Sequence, residues 1–440
     1  MKKRLPRVCL GPYEVGGYYA LLAQGLRSCG VTCRYGVLVE HPFQFHLPPA
    51  RGSRALALHL YRLLHIQRTN RCSRLFRWAI LLAYGSAVLL YGMLSLPKTD
   101  VYIMGFGHSF APFNLDLPLL RLLGKRVIVN VGHGCEFRPP YCDGSYQGAD
   151  GVDQPSLPRL KRLAWLRHCR ARWFECWANA VIGAPLSSSP FSSRPFVNWF
   201  ELGIPLQLKP IHVDKVPREG CWRLLHSPSH PALKGTLLIR EAVAKLRASG
   251  FPIDYTEIHA RPNAEVLAAL QSCDLLIDQT YSDTPMAGLA AEAAFYGCPT
   301  LVAGYGFEQL RSFVSQGQWP PSFLCHPDDL VSSLQHLLQS PDQLAAMGAA
   351  AQRFVGRCWS PSRVAARYLR VLQNSVPASW WVDPRAVHYL HGCGQSETQT
   401  RSTVRALLTR YGVSALQLRH QPLLEQAYVA FAAQLQQEGS

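Results

Sequence analysis

Leu275–Gly304, LLIDQTYSDTPMAGLAAEAAFYGCPTLVAG, is the stretch on which the reading turns. Leu275–Asp278 and Thr300–Val302 are short apolar runs of strand length. Met286–Tyr296 lies between them and is alanine-rich and too long for a strand. Strand, loop, helix and strand in that order make a parallel crossover unit. Small residues Ala287, Gly288, Ala290 and Ala291 let a ligand come close to the helix N-terminus. Glu292 lies about one and a half turns in, where it can accept hydrogen bonds from a sugar diol.

Working outward, HSPSHPALKGTLLIREAV (226–243) also runs from strand to helix and puts Lys234 and Gly235 at the helix start. A lysine beside free amide donors suits a diphosphate. His226 and His230 bracket the same loop, and phosphate contact and plain loop polarity explain them equally well. Further strands are expected at Trp222–His226 and Tyr255–His259, with helices at Lys234–Ser249 and Ala264–Ser272. The first half repeats the alternation: strands at Arg7–Leu10, Val31–Val39, Val101–Phe106, Val127–Val131 and Val181–Ala184, with helices such as Gly17–Cys29 and Leu115–Leu123 between them. Alternation on both sides of a Pro-rich, aperiodic segment near 198–216 predicts two doubly wound α/β domains. The expected division is 1–200, 201–375 and a helical tail, 376–440, with helices at Glu397–Tyr411 and Pro422–Gln437.

In GPYEVGGYYALL, Gly16 and Gly17 stand between the first strand and its helix. Glycines there allow backbone amides to approach an anion, although a tight turn needs glycine anyway. The loop GHGCEFRPP (132–140) contains His133, Glu136 and Arg138. His133 reads either as a satisfied polar residue at a strand end or, from its loop position and Gly neighbours, as a candidate catalytic residue together with Lys234; Glu136 and Arg138 are candidates for the acceptor side, unless Arg138 simply pairs with Glu136.

The second half resembles the nucleotide-binding domain of the retaining family 4 glycosyltransferases, which have the GT-B fold. Lys-Gly-Thr at 234–236 resembles their diphosphate lysine. Glu292–Pro299 resembles the end of their E-x7-E motif, whose second Glu holds the nucleotide ribose. Gly16-Gly17 and 132–140 are similar to characteristic loops of the first domain, with His133 at the histidine facing the donor sugar. The resemblance covers about 5–375 and implies two Rossmann-like domains facing each other across a cleft. It also implies a nucleotide-diphosphate sugar as donor substrate, no cofactor, no metal, and transfer with retention. The pattern departs twice. Thr284 stands at the first Glu, with Asp283 beside it out of register. Ser229 stands where an Arg usually helps to neutralise the diphosphate, and Arg240 is too far along its helix to replace it. The expected donor set is therefore Gly16, Gly17, Ser229, Lys234, Thr284, Ala287, Gly288 and Glu292. A non-catalytic GT-B scaffold and a nucleotide-sugar epimerase are the competing readings.

The chain has 440 residues, net charge +17, 48% hydrophobic and 10% aromatic residues, which excludes a disordered or low-complexity chain. The charge is unevenly placed: residues 1–200 hold 25 Lys/Arg against 9 Asp/Glu, and 201–375 hold 15 of each. No acid occurs between Glu40 and Asp100, a stretch that includes Arg51, Arg54, Arg62, Arg68, Arg71, Arg74 and Arg77. Trp78–Leu96 then runs uncharged for nineteen residues. By length it can span a membrane, lie in its interface or be a buried core helix. A second basic and aromatic segment follows at 158–177. Basic side chains beside apolar ones suit an anionic membrane surface, and no nucleic-acid motif accompanies them. The membrane-associating segment is expected at 51–97, with Arg68, Arg71, Arg74, Arg77 and Trp78 as contacts. Fourteen scattered cysteines without a C-x-x-C pair, after a start without a secretory signal, read as free thiols in a reducing cytosol. The expected protein is a glycosyltransferase on the cytoplasmic face of the membrane, acting on a glycan or lipid-linked acceptor.

Overall fold

The computed structural model describes residues 5–39, 49–69, 74–134, 136–146, 156–208 and 220–434. Its first sheet has strands β1 (Val8–Gly11), β2 (Cys33–Tyr35), β3 (Val101–Gly105), β4 (Arg126–Asn130), β5 (Ala180–Gly183) and β6 (Phe196–Asn198). Its second has β7 (Trp222–His226), β8 (Ile253–Glu257), β9 (Leu275–Ser282), β10 (Thr300–Gly304) and β11 (Phe323–Cys325). A last strand, β12 (Trp381–Val382), returns to the first sheet, whose order is β12-β6-β5-β4-β3-β1-β2; the second runs β11-β10-β9-β7-β8. All neighbours pair in parallel except β12 with β6. Two doubly wound parallel sheets with a helical extension are the fold class expected from the sequence.

Strand order decides where the helices lie. From β1 to β2 the chain moves one way along the sheet, through α1 (Tyr18–Ser28). From β2 to β3, β4 and β5 it moves the other way, through α2 (Ser53–Thr69), α3 (Arg74–Ser95), α4 (Asp116–Leu122) and α5 (Leu157–Trp177). Right-handed crossovers therefore put α2 to α5 together on one face and α1 on the opposite face. Against α1 packs the helix Pro361–Leu372. Its Val364, Ala365, Tyr368, Val371 and Leu372 form one apolar stripe, buried in the first core. Gly25 makes this approach possible, since a Cβ there would overlap the Pro361 carbonyl.

The tail also joins the first core, through Val382, Val387, Tyr389, Val404, Leu407, Leu424 and Tyr428. Ser396 and Gln399 close a reciprocal capping box on the helix Glu397–Tyr411. The second sheet has its own core, including Leu224, Ile239, Leu275, Ile277 and Leu301.

α3 is the described helix long and apolar enough to cross a membrane. Ala87 and Val88 of its C-terminal half are buried in the first core, and Ser95 Oγ lies 2.7 Å from Tyr102 Oη on β3. Its N-terminal half is open apart from Ile80: Leu75 is 83% exposed, Trp78 63% and Leu82 69%. A wholly buried core helix does not describe it.

Candidate active site

Parallel sheets present ligands at the carboxyl ends of their strands, and the loops carrying the candidate residues leave from those ends. In the loop after β1, Gly16 and Gly17 both have positive φ, 58° and 81°, and turn the chain back over Glu14. The Glu14 carboxylate accepts from the N–H groups of Val15 (2.9 Å), Tyr19 (2.9 Å) and Ala20 (3.0 Å) and from Tyr35 Oη (2.6 Å). The amides of Val15, Tyr19 and Ala20, which flank this turn, are therefore occupied by the chain's own carboxylate. Glu14 is the residue the sequence reading missed; its signal is an acid four residues before the helix.

Past β4, the His133 ring lies 5.0 Å from Tyr18 and 6.2 Å from Trp199, edge-on to both, with Nε2 2.9 Å from Tyr19 Oη. Gly132 makes room for Trp199, whose ring a Cβ at that position would strike. Burial pushes the His133 imidazole down to about 3, so it is neutral at pH 7. It can orient a hydroxyl through a hydrogen bond but carries no charge. Nearby, the His108 ring stacks on Tyr13 at 4.4 Å, and burial followed by Arg170 lowers it to about 4. Neither Tyr13 nor His108 stood out in the sequence.

Glu136 is 2% exposed and both its carboxylate oxygens are buried without a hydrogen-bond partner. Arg138 does not pair with it. Instead Arg138 donates to Asp283, both side chains buried, across 145 residues of sequence. Arg167 donates to the Arg138 carbonyl and to Asp143, and Arg170 donates to the Glu136 carbonyl oxygen at 2.7 Å. Burial, only partly opposed by the residue's own backbone amide and then by these arginines, raises the Glu136 carboxyl to about 7. A raised acid favours the folded state while protonated. That contribution is complete below the ordinary carboxyl range near 4.5 and is lost as pH rises through about 7. Glu136→Gln is therefore expected to raise the melting temperature at pH 8 and change it little at pH 4.5, gaining at most about 3 kcal/mol. Equal shifts at both pH values would show that Glu136 is not the titrating group.

On the second sheet, Lys234 closes a four-residue helix, Pro231–Lys234, and Gly235 (φ 68°) breaks the single helix expected over Lys234–Ser249. Only glycine fits there, because a Cβ would overlap Thr280 Oγ1. Lys234 Nζ donates to Gln279 Oε1, Gln279 Nε2 to Ser282 Oγ (2.6 Å), and Ser282 Oγ to the Thr284 carbonyl (2.9 Å). This chain ties the lysine to the loop that carries Asp283. Thr284 Oγ1 is buried without a partner.

Beyond that loop, Ala287 caps the helix Gly288–Phe295 with extended backbone, and Gly288 faces open space. Burial raises Glu292 to about 7, against the opposing hydrogen bond from Asn263 Nδ2 at 3.3 Å. Ser229 and His230 are exposed. His226 is structural: Nδ1 lies 2.8 Å from the Ile277 carbonyl and Nε2 2.9 Å from Thr236 Oγ1. Arg240 is held by Glu257 through two 2.8 Å bonds, away from this loop.

The two walls meet at Arg138–Asp283, and the tail joins them. Gly144 N–H donates to the Cys393 carbonyl (2.9 Å), and Gly394 N–H donates to the Tyr281 carbonyl at the end of β9 (3.0 Å). A Cβ on Gly394 would press on Leu233, next to Lys234. The segment 391–397 thus packs between both halves beside the lysine turn. Of the expected membrane contacts, Arg77 and Trp78 are exposed on α3, and Arg71 lies outside the described residues. Arg68 is the last residue but one of α2 and Arg74 opens α3, with side chains outside what is described. Among the described residues no group of three His, Cys, Asp or Glu converges as a metal site would require.

No protein-family profile and no curated protein matches the sequence. Solved structures do resemble the fold. Sucrose-phosphate synthase from Thermosynechococcus elongatus is 13% identical over 84% of this chain and 99% of its own, with a TM-score of 0.48. The Anabaena protein Alr3699/HepE, in complex with UDP and glucose, is 12% identical over 84% and 100%, with a TM-score of 0.46. A glycotransferase of kitacinnamycin is 12% identical over 85% and 100%, at 0.42. Likeness at this level leaves the chemistry to the chain's own residues.

Proposed function

We propose that the chain is a glycosyltransferase that moves a sugar from a nucleoside-diphosphate donor to a lipid-linked or envelope glycan acceptor, with retention and without a metal, at the anionic inner face of a membrane. The observation that carries this reading is Lys234, held by Gln279 at the carboxyl edge of the second sheet, with the loop of neutral His133 on the facing wall. In the proposed step the bond from the anomeric carbon to the phosphate oxygen breaks. The acceptor oxygen bonds to that carbon from the same face, and its proton passes to the departing phosphate. Lys234 steadies the charge that grows on the diphosphate. His133, being neutral, orients a sugar hydroxyl without competing for that charge. Glu292 and Asn263 are the candidate pair for the ribose diol.

One feature favours the non-catalytic scaffold instead: Glu14 fills the α1 amides and Asp283 takes up Arg138, leaving Lys234 the main cation for a donor. A thermal-shift screen with nucleoside diphosphates and their sugars separates the two readings, beginning with UDP because the Anabaena complex contains it. A rise in melting temperature, followed by donor hydrolysis or transfer, is expected. Stabilisation without turnover would favour the scaffold, and no stabilisation by any nucleotide would end the transferase reading.

A further inference from the structure

The α2–α3 hairpin is longer than the sheet it packs on. Its 22-residue α3 measures about 33 Å, against about 17 Å for a five-residue strand. The lower end of the hairpin is anchored. Arg54 Nε donates to the Val37 carbonyl (3.0 Å), and Tyr84 Oη donates to the Leu38 carbonyl (3.3 Å), both just past the carboxyl end of β2. Tyr61 packs on Tyr84 at 5.8 Å and so fixes the antiparallel register. The eight residues of α2 after Tyr61 and the ten of α3 before Tyr84 therefore project past the carboxyl edge of the first sheet, the edge on which the cleft opens. This projecting part carries the exposed Leu75, Phe76, Trp78, Leu81 and Leu82. It is also the centre of the acid-free, arginine-rich stretch between Glu40 and Asp100.

The hairpin is joined to the cleft by aromatic rings. Leu38, whose carbonyl accepts from Tyr84, donates its N–H to the Pro12 carbonyl (2.8 Å), which brings Tyr13, the next residue, to the base of the hairpin. Tyr13 stacks on His108, and Phe106 stacks beside His108 at 6.3 Å. Tyr13 immediately precedes Glu14, which holds the N-terminus of the helix that supplies Tyr19 to His133. A half-buried aromatic seam thus leads from the exposed apolar N-terminal half of α3 to the first wall of the cleft.

We propose that this hairpin is the acceptor subsite: its tip enters the interface of an anionic bilayer, and Tyr61, Tyr84, Tyr13 and His108 take the chain-proximal part of a lipid-linked acceptor whose headgroup reaches His133. Charge argues for this occupant. A stretch of sequence with arginines and no acid meets anionic headgroups favourably. Its leucines and tryptophan gain by leaving water. The lipid-linked class of acceptor rests on the glycosyltransferase reading; the docking of the hairpin does not.

The test uses the full chain with vesicles of phosphatidylcholine alone or mixed with phosphatidylglycerol, carrying a prenyl diphosphate that bears a diazirine. The wild type is expected to float with the anionic vesicles. Illumination should label Tyr61, Tyr84, Tyr13 or His108, located by mass spectrometry. The triple variant Leu75→Glu, Trp78→Glu, Leu82→Glu should keep its circular dichroism, since all three side chains are exposed, and lose vesicle affinity on the order of 100-fold. Tyr13→Leu with His108→Leu should still float but lose the label. Three results would each overturn the proposal: flotation unchanged in the triple variant, label confined to α4 or α5 or absent, or a wild-type dimer that the triple variant dissociates without any vesicle binding. A labelled seam in a protein that no nucleotide stabilises would instead overturn the transferase reading and leave the lipid subsite standing.

Discussion

Lys234→Ala is expected to abolish the rise in melting temperature given by a nucleoside diphosphate and to lower sugar transfer by about 10²–10³-fold, the usual cost of removing one donor aimed at a developing anion. The effect is large because few other cations are available. Ser229 offers only a hydroxyl, Arg240 is bound to Glu257, Arg138 is bound to Asp283, and the α1 amides already hold Glu14. The fold should tolerate the change, since Lys234 is half-buried at the end of a short helix and its named bond goes to Gln279. Unliganded melting temperatures of the variant and the wild type should therefore agree closely. Lys234→Arg should restore part of the nucleotide shift, as charge is kept while the point geometry of the ammonium is not. A nucleotide shift of wild-type size in Lys234→Ala would remove this lysine from the donor site and leave the helix Gly288–Phe295 as the remaining anchor.

What the sequence made legible is what local periodicity encodes. Leu275–Gly304 alternates strand and helix so clearly that β9, the following helix and β10 fall where the residues place them. The helix Glu397–Tyr411 is bounded by its own capping box and by Gly412. Illegible were elements whose reason lies elsewhere in the chain. β6, β11 and β12 are two or three residues long, too short for any period, and exist because a neighbouring strand offers free backbone groups. The break at Gly235 follows from Thr280 on another strand, not from the helical pattern around it. The helix Pro361–Leu372 reads as part of the second domain by order, yet its apolar stripe fits α1 on the first.

The candidate site divides in the same way. Lys234 and His133 were singled out as candidates because residue type agrees with a place in a turn or loop, and Glu292 because of its place early in the helix after β9. Glu14 was passed over because an acid in a glycine-rich turn gives no sign of which amides it will meet. The α2–α3 hairpin was legible as composition, through its arginines and uncharged run. Its projection beyond the sheet is a matter of length against a neighbour's length, which appears only once β2 and β3 are placed. The aromatic seam needs Tyr13, Tyr61, Tyr84 and His108 together, and these come from four separate elements.

Asp283→Ala is expected to destabilise the protein by about 3–5 kcal/mol, because it leaves the Arg138 guanidinium buried and uncompensated. Arg138 Nε already lacks a partner, so no local bond is in reserve. Arg138→Met should cost a similar amount by stranding Asp283. Together with Asp283→Leu it should recover most of the loss, since two apolar groups of like volume need no solvation. Denaturant unfolding of the four proteins gives the coupling energy directly. Single variants within about 1 kcal/mol of wild type would mean that water already reaches the pair. Function should follow a different order. The ion pair ties the loop of His133 and Glu136 to the loop of Asp283 and Thr284, which Gln279 and Ser282 tie in turn to Lys234. A stable Met–Leu double variant should therefore still bind nucleotide through Lys234 while its turnover falls, because the facing wall is no longer held in register. Restored stability with unrestored turnover would identify the pair as a positioning device for the cleft. Restored turnover would reduce it to a structural contact.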